Sequence, residues 1–345
     1  MRLGDHLLGE GVFVIAEAGV NHNGSIDLAR ELVDEAAQAG ADAIKFQTFV
    51  TEDLVSRDAP LCEYQEEGVE GSPNSQYEML KRLELSLEQF RELKERCDRR
   101  GILFLSTPHT RGEVVEFLDP LVPAFKVGSG DLTNWPFLAE VARKGKPVIL
   151  GTGMATLAEV EGAVRVLEES GNSQVVLLHC TTSYPCALEE VNLRAMVSMM
   201  ASFPYPVGYS DHTEGTQVAL MAVTLGACVV EKHFTLDKEL PGPDHRASAD
   251  PEELRALVDA CKRVETVLGA PEKKPTASEL RNLPRIRKSL YYGTDLAAGT
   301  RLRPDHLVAL RPAVGISPAR LDELAGRTLK VAVKRHQRVE LGHFE

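Results

Sequence analysis

Two histidines in short apolar settings are the residues of this chain best placed for chemistry. His212 stands in PVGYSDHT and His233 in VVEKHFT, each at the end of a run that reads as a buried strand. Two imidazoles on adjacent strands can meet at one cation. Asp211 and Glu231 flank them and no cysteine joins the set, which points to Mn2+ or Mg2+ ahead of structural Zn2+. Such a cation would polarise a carbonyl or activate water. The alternative for either histidine is a hydrogen-bonded structural residue. Glu17 ends the run VFVIA, and a carboxylate there, close to a divalent cation, could transfer protons. Asp244, in LPGPDHRAS, brings a further carboxylate soon after His233.

Two cations lie inside otherwise apolar strands, Lys45 in AIKFQ and Lys126 in AFKVGSG. A buried lysine is costly unless an anion pairs with it. Each is therefore either a structural partner for a carboxylate or a ligand for a phosphate or carboxylate. The KVGSG turn favours the second reading, because Gly128 and Gly130 let backbone amides approach an anion and Ser129 adds a hydroxyl. Thr107, in LSTP, and Thr152, in LGTGM, supply hydroxyls at other strand ends. As a set they suggest a phosphorylated or carboxylated ligand.

Eight apolar runs carry these residues, at 12–16, 41–47, 102–106, 123–127, 147–150, 174–179, 205–210 and 228–234. Helical patterns lie between them. In SIDLARELVDEAAQAG, Leu28, Ala29, Leu32, Val33, Ala36 and Ala37 fall on one face and Gly40 ends the helix. Ser86 with Gln89, Thr110 with Glu113 and Thr156 with Glu159 read as capping boxes, and Asp250-Pro251 opens a further helix. The alternation predicts an α/β fold, a (β/α)8 TIM barrel over residues 1–268. A doubly wound open sheet is the rival, disfavoured because the polar strand-end residues are spread over all eight strands. Residues 48–74 break the rhythm and read as a lid over the barrel mouth. A polar linker over 269–287 leads to a small β-rich domain at 288–345, in which RTLKVAVKRHQRVE alternates like a strand.

The totals bound the function. The chain of 345 residues has 39 Lys and Arg against 51 Asp and Glu, a net charge of −12. That argues against non-specific binding to nucleic acid or a membrane surface, though not against a small anion met by local lysines. No stretch reaches the ~18 apolar residues of a membrane span, and the N-terminus has no signal-peptide layout. The six cysteines show no CxxC pair and read as reduced thiols of a cytoplasmic protein.

The segments AEAGVNHNG, IKFQTF, STP, KVGSGDLTN, TGMA, HCTTSYPC, GYSDHT, EKHFTLDKELPGPDH and LRPAVGISP occur in that order across residues 12–315. Together they closely resemble the sialic acid synthases, transferases that make nonulosonic acids by condensing phosphoenolpyruvate with an N-acetylated hexose. The tail resembles the antifreeze-like (SAF, β-clip) domain of those enzymes. The resemblance implies that Lys45, Thr107, Lys126, Ser129 and Ser210 hold phosphoenolpyruvate and that His212 and His233 hold the metal, Mn2+ before Mg2+. It implies an acid/base role for Glu17 and a sugar pocket lined by Gln47, Asp131, Tyr184 and Asp244. Arg311 matches an arginine that one subunit's tail offers to the sugar bound in the other, which implies a domain-swapped homodimer. Gly151 stands where the best-known bacterial relative has a serine, and Thr182 where it has an asparagine, so Thr152 and Thr182 are kept as substrate-side candidates. The tail reads RPAVG where many relatives read RPGTG. N-acetylmannosamine and the diacetamido hexoses leading to legionaminic and pseudaminic acid are all open as the sugar. Two rivals remain: a Schiff-base aldolase using Lys45 or Lys126, and a glycan- or ice-binding tail on an inactive barrel.

Overall fold

The structure, a computed structural model, describes residues 1–62, 65, 73–110 and 112–345. Its centre is eight parallel strands: β1 (Phe13–Gly19), β2 (Ala43–Thr48), β3 (Leu103–Pro108), β4 (Phe125–Val127), β5 (Val148–Gly151), β6 (Val175–His179), β7 (Val207–Asp211) and β8 (Val229–His233). They pair in the order β3-β2-β1-β8-β7-β6-β5-β4. The two ends of that order, β3 and β4, lie side by side, so the sheet curls into a near-closed barrel. The expected barrel is present, and the open doubly wound sheet is not. Each strand begins within two residues of its apolar run. Several run further, because polar residues at their C-terminal ends stay in the ladder.

Strand side chains alternate between faces, and here the two faces have separate cores. Phe13, Ile15, Ala43, Leu105, Ile149, Val176, Leu178 and Val229 pack inside the barrel, with Leu3 of a short N-terminal hairpin. Val14, Ala16, Ala18, Ile44, Phe46, Phe104, Phe125 and Val127 pack outward against the helices. Two residues beyond the inner apolar set, the same inward face carries Glu17, Lys45, Thr107, Lys126, Ser210 and Glu231. The barrel therefore has an apolar floor and a charged mouth at the strand C-termini, where such barrels place their chemistry.

The helices form for the reasons read from sequence, with one exception. Helix Ile26–Ala39 is capped by Ser25, buries Ala29, Leu32, Val33, Ala36 and Ala39, and stops at Gly40, whose φ of 80° suits glycine. Capping boxes are in place at Ser86/Gln89, Thr156/Glu159 and Asp250/Glu253. The expected Thr110/Glu113 box is not. Helix Glu113–Leu118 starts two residues later, from Gly112 at φ 64° with no side-chain cap, and among the described residues Thr110 Oγ1 is buried without a partner. Of the 48–74 insertion, residues 63–64 and 66–72 lie outside the described residues, so the lid reading is untested there. Its described part and helix Gln76–Leu83 share a small core of Val20, Phe49, Met79 and Leu83.

The chain divides into two compact units, Met1–Gly269 and Ala270–Glu345. In the second, a stretch read as linker contains helix Ala277–Ile286, capped by Thr276 with Glu279. Strands β9 (Ser289–Tyr292) and β10 (Leu307–Leu310) pair antiparallel. Around them Leu290, Tyr292, Leu302, Leu324, Leu329, Val333, Val339 and Phe344 make a core of this unit's own. The alternating run 327–340 is not a strand. It meets the rest through single bridges, Arg301 with Thr328, Leu296 with Val333 and Tyr291 with Arg338, and turns between them.

Candidate active site

Strand register assembles the mouth. Glu17 on β1 lies level with Lys45 on β2, and His233 on β8 lies level with Glu17. Ser210 on β7 is level with Glu231 on β8, and Gln47 with Thr107. Lys126 comes from β4, across the barrel from β8. The result is a cleft of about 150 Å3 between charged walls.

Four buried charges line it. Lys45 Nζ lies 2.7 Å from Glu17 Oε2 and 3.8 Å from Glu231 Oε2, and donates to Thr107 Oγ1 at 3.1 Å. Lys126 Nζ donates to Glu231 Oε1 at 3.2 Å, and Ser210 Oγ donates to the same oxygen at 2.9 Å. The two carboxylates diverge electrically. Burial raises Glu17, Lys45 opposes this, Glu231 reinforces it, and the net direction is up. Burial also pushes Glu231 up, but Lys126 and Lys45 outweigh it and hold Glu231 down at about 2. Lys126 is likewise pushed down by burial, yet Glu231 and Glu17 raise it overall. Lys126 thus stays charged, and Glu17 is the carboxylate poised to take a proton.

The two histidines face each other beside this network, with ring centroids 5.4 Å apart and Tyr184 packed on both, 4.2 Å from His212 and 5.3 Å from His233. Burial pushes His212 down to about 4 and His233 well below its ordinary value. Both rings are therefore neutral, as metal ligands must be. His212 Nδ1 bonds the Thr181 carbonyl, which leaves Nε2 with its lone pair. Among the described residues His233 Nδ1 is buried with no hydrogen-bond partner. These observations fit a shared cation. Among the described residues no group of three His, Cys, Asp or Glu side chains converges, so a cation here would take its other ligands from substrate and water. One expected neighbour is elsewhere: Asp211 points out of the barrel to Lys232, 3.1 Å away, both fully buried. Strand alternation is the reason, since Asp211 lies between inward-facing Ser210 and His212.

Matches to known proteins agree with this geometry. Residues 32–273 match the NeuB family and residues 287–345 match the SAF domain. The chain belongs to the NeuB family. An N,N'-diacetyllegionaminic acid synthase of Legionella pneumophila is 45% identical, over 96% of this chain and 94% of that protein. One of Campylobacter jejuni is 44% identical, over 95% and 98%. The solved N-acetylneuraminic acid synthetase of Leptospira borgpetersenii, in complex with citrate, superposes with a TM-score of 0.72 at 35% identity and covers 82% of this chain and 94% of its own. Named relatives of this NeuB-family chain are thus nonulosonic acid synthases, and the chain is an enzyme.

Against the family expectations, Glu17, Lys45, Gln47, Thr107, Lys126, Ser129, Thr182, Tyr184, Ser210, His212 and His233 all line the one cleft. Gln47 Nε2 donates to Glu17 Oε1 at 3.2 Å. Gly19, at φ 52°, makes this approach possible: a Cβ there would sit 3.3 Å from both of those atoms. Asp244 is buried just behind, with Oδ2 3.7 Å from His233 Nδ1, and burial and Glu17 raise it to about 7. Ser129 Oγ accepts from the Gly153 amide at 2.9 Å, and a Cβ on Gly151 would lie 3.0 Å from that oxygen. Thr182 Oγ1 is buried without a partner. With Asp244, three further expected residues are not among those lining the cleft. Thr152 donates its hydroxyl to the Leu178 carbonyl at 2.9 Å, Asp131 accepts from Asn134 at 3.0 Å, and Arg311 is an exposed residue of the second unit. Sequence reasoning gave Glu231 only a flanking part and passed over His109 and Cys180, which line the cleft too. Strand parity could have found Glu231, two residues from His233.

Proposed function

We propose that the chain condenses phosphoenolpyruvate with an N-acylated hexose and water to give a nonulosonic acid and phosphate, with cleavage of the C–O bond. The observation that carries this is the pair Lys45 and Lys126, two buried lysines in the barrel mouth beside two neutral, facing imidazoles. Lys126, Lys45, Thr107, Ser129 and Ser210 would hold the phosphate and carboxylate. His212 and His233 would hold a divalent cation, Mn2+ before Mg2+, which when bound polarises the sugar carbonyl. C3 of phosphoenolpyruvate bonds to that carbonyl carbon, and the carbonyl oxygen takes a proton, which Glu17 is placed to give. Water adds at C2 and loses a proton, and the C2–O bond then breaks to release phosphate. The lysines offset the anions, which would otherwise repel one another in a low-dielectric site.

Identities of 45% and 44% to two N,N'-diacetyllegionaminic acid synthases favour the corresponding diacetamido hexose over N-acetylmannosamine. The test is phosphate release from phosphoenolpyruvate with each sugar in turn. The Schiff-base rival fits less well, because an imine-forming lysine needs a lowered pKa, whereas carboxylates raise Lys126 and engage Lys45. Borohydride trapping with pyruvate separates the two.

The active unit is read as a homodimer in which Arg311 of one chain completes the sugar site of the other. Charge supports this. Residues 270–345 hold 15 Lys and Arg against 8 Asp and Glu, while residues 1–269 hold 24 against 43. Opposite net charges favour association of such a tail with a barrel.

A further inference from the structure

His109 follows β3 and lines the cleft with Lys45, Thr107, Lys126, Gly128 and Ser129. Its backbone N–H donates to the Thr48 carbonyl at 3.1 Å, which extends the β2–β3 ladder by one residue and fixes where the ring starts. The ring rests over the bare backbone of Gly128. A Cβ on Gly128 would stand 3.5 Å from His109 Cε1 and 3.9 Å from the Thr107 methyl. The imidazole is thus seated at ordinary contact distance from the anion turn of KVGSG.

Among the described residues neither ring nitrogen of His109 has a hydrogen-bond partner. Burial, then Lys45 and Lys126, push its pKa down to about 3. The ring is neutral and carries one N–H donor. It stands at the ends of β3 and β4, across the barrel from β7 and β8, which carry His212 and His233. A neutral donor beside two lysines and next to Ser129 suits an anionic oxygen more than a sugar hydroxyl.

We propose that His109 donates a hydrogen bond to the phosphate group of phosphoenolpyruvate and so is a further binding residue of the anion subsite. This rests on the phosphoenolpyruvate reading above. The probes are phosphoenolpyruvate and inorganic phosphate, the latter as a competitive inhibitor. His109→Phe fills the space and removes the donor, while His109→Gln keeps an N–H. A hydrogen bond to a charged group is worth on the order of tenfold or more in affinity. The expected result is a rise of about that size in both the phosphoenolpyruvate KM and the phosphate inhibition constant in His109→Phe. The sugar KM should change less than about twofold, and His109→Gln should recover most of the loss. Thermal melting of both variants checks that they fold; if His109→Phe does not, the comparison is made between His109→Gln and His109→Ala. An unchanged phosphate inhibition constant, or a change confined to the sugar KM, overturns this inference alone. No phosphate release from phosphoenolpyruvate by the unaltered chain with any of the sugars overturns it together with the reading on which it rests.

Discussion

Two sets of buried charges lie within one strand's thickness of each other and differ in completeness. On the outer face of the barrel, Lys232 Nζ donates to Asp211 Oδ2 and to the Thr213 carbonyl, and Asp211 Oδ1 accepts from the Thr213 amide and hydroxyl at 3.0 and 2.8 Å. Every atom is engaged and all three residues are fully buried. On the inner face, Glu231 Oε2 has no hydrogen-bond partner among the described residues, and Glu17 Oε2 meets Lys45 in ion-pair but not hydrogen-bond geometry. That set opens into a cleft. A complete buried network ties a structure together, whereas an incomplete one facing a cavity is held ready for a ligand. Lysine–carboxylate pairs do both jobs, and Glu231 and Lys232, adjacent on β8, belong one to each set.

Removing a charge from each set should separate the two roles. Lys126→Met, on the inner face, should lower kcat/KM for phosphoenolpyruvate by on the order of 10²-fold or more while affecting sugar affinity far less. Melting should move little by comparison. Steady-state kinetics with each substrate varied checks this, and an unchanged phosphoenolpyruvate response would place Lys126 in the structural class. His233→Ala should cost on the order of 10²-fold and abolish the stoichiometric uptake of Mn2+ measured by equilibrium dialysis. Uptake equal to that of the unaltered chain would remove the imidazole pair from the metal site.

On the outer face, Lys232→Met should destabilise the fold by about 3–5 kcal/mol, because it leaves Asp211 charged and alone. Denaturant unfolding measures this, and Lys232→Met combined with Asp211→Leu should recover much of the loss. If Lys232→Met instead left stability intact and abolished turnover, the distinction between the faces would fail. Mixing Glu17→Gln with Arg311→Ala should restore activity if tails are exchanged, since the mixed dimer then has one site with neither defect. No recovery in proven mixed dimers would contradict the exchange.

The last expected effect concerns pH. Asp244 is raised to about 7 from an ordinary value of 3.8 by burial and by Glu17. The folded state then holds a proton that the unfolded state has lost, so this residue's contribution falls as pH rises from about 4 to about 7. Asp244→Asn should lose less stability over that window than the unaltered chain does, as read by melting temperature. Parallel curves would place the titration elsewhere.

Much of this was legible in the sequence, for identifiable reasons. Buried parallel strands are continuous apolar runs, so all eight were found, and the residues after each run were the candidate site. Facing was harder. Lys45 and Lys232 look alike in AIKFQ and VVEKHFT, yet alternation decides between them: with Glu231 and His233 inward, Lys232 must point out and needs a partner. Asp211, placed the same way between Ser210 and His212, supplies it. Thr110 failed as a cap because a backbone conformation at Gly112, invisible in a Thr-x-x-Glu pattern, starts the helix. The 327–340 run failed because its alternation serves separate bridges joined by turns. Thr152 looked like a strand-end ligand, but its hydroxyl is spent on the Leu178 carbonyl.

The inner charge set is claimed to bind phosphoenolpyruvate for attack at C2 by water, and bond cleavage reports on that directly. Phosphoenolpyruvate carrying a heavy-isotope label in the oxygen that bridges C2 and phosphorus is incubated with the enzyme, Mn2+ and the diacetamido hexose, and the products are weighed by mass spectrometry. The account predicts that the label leaves with phosphate, that the C2 oxygen of the product comes from solvent, and that no phosphate appears without the sugar. Label retained at C2 of the product, or release of phosphate in the absence of sugar, would contradict it.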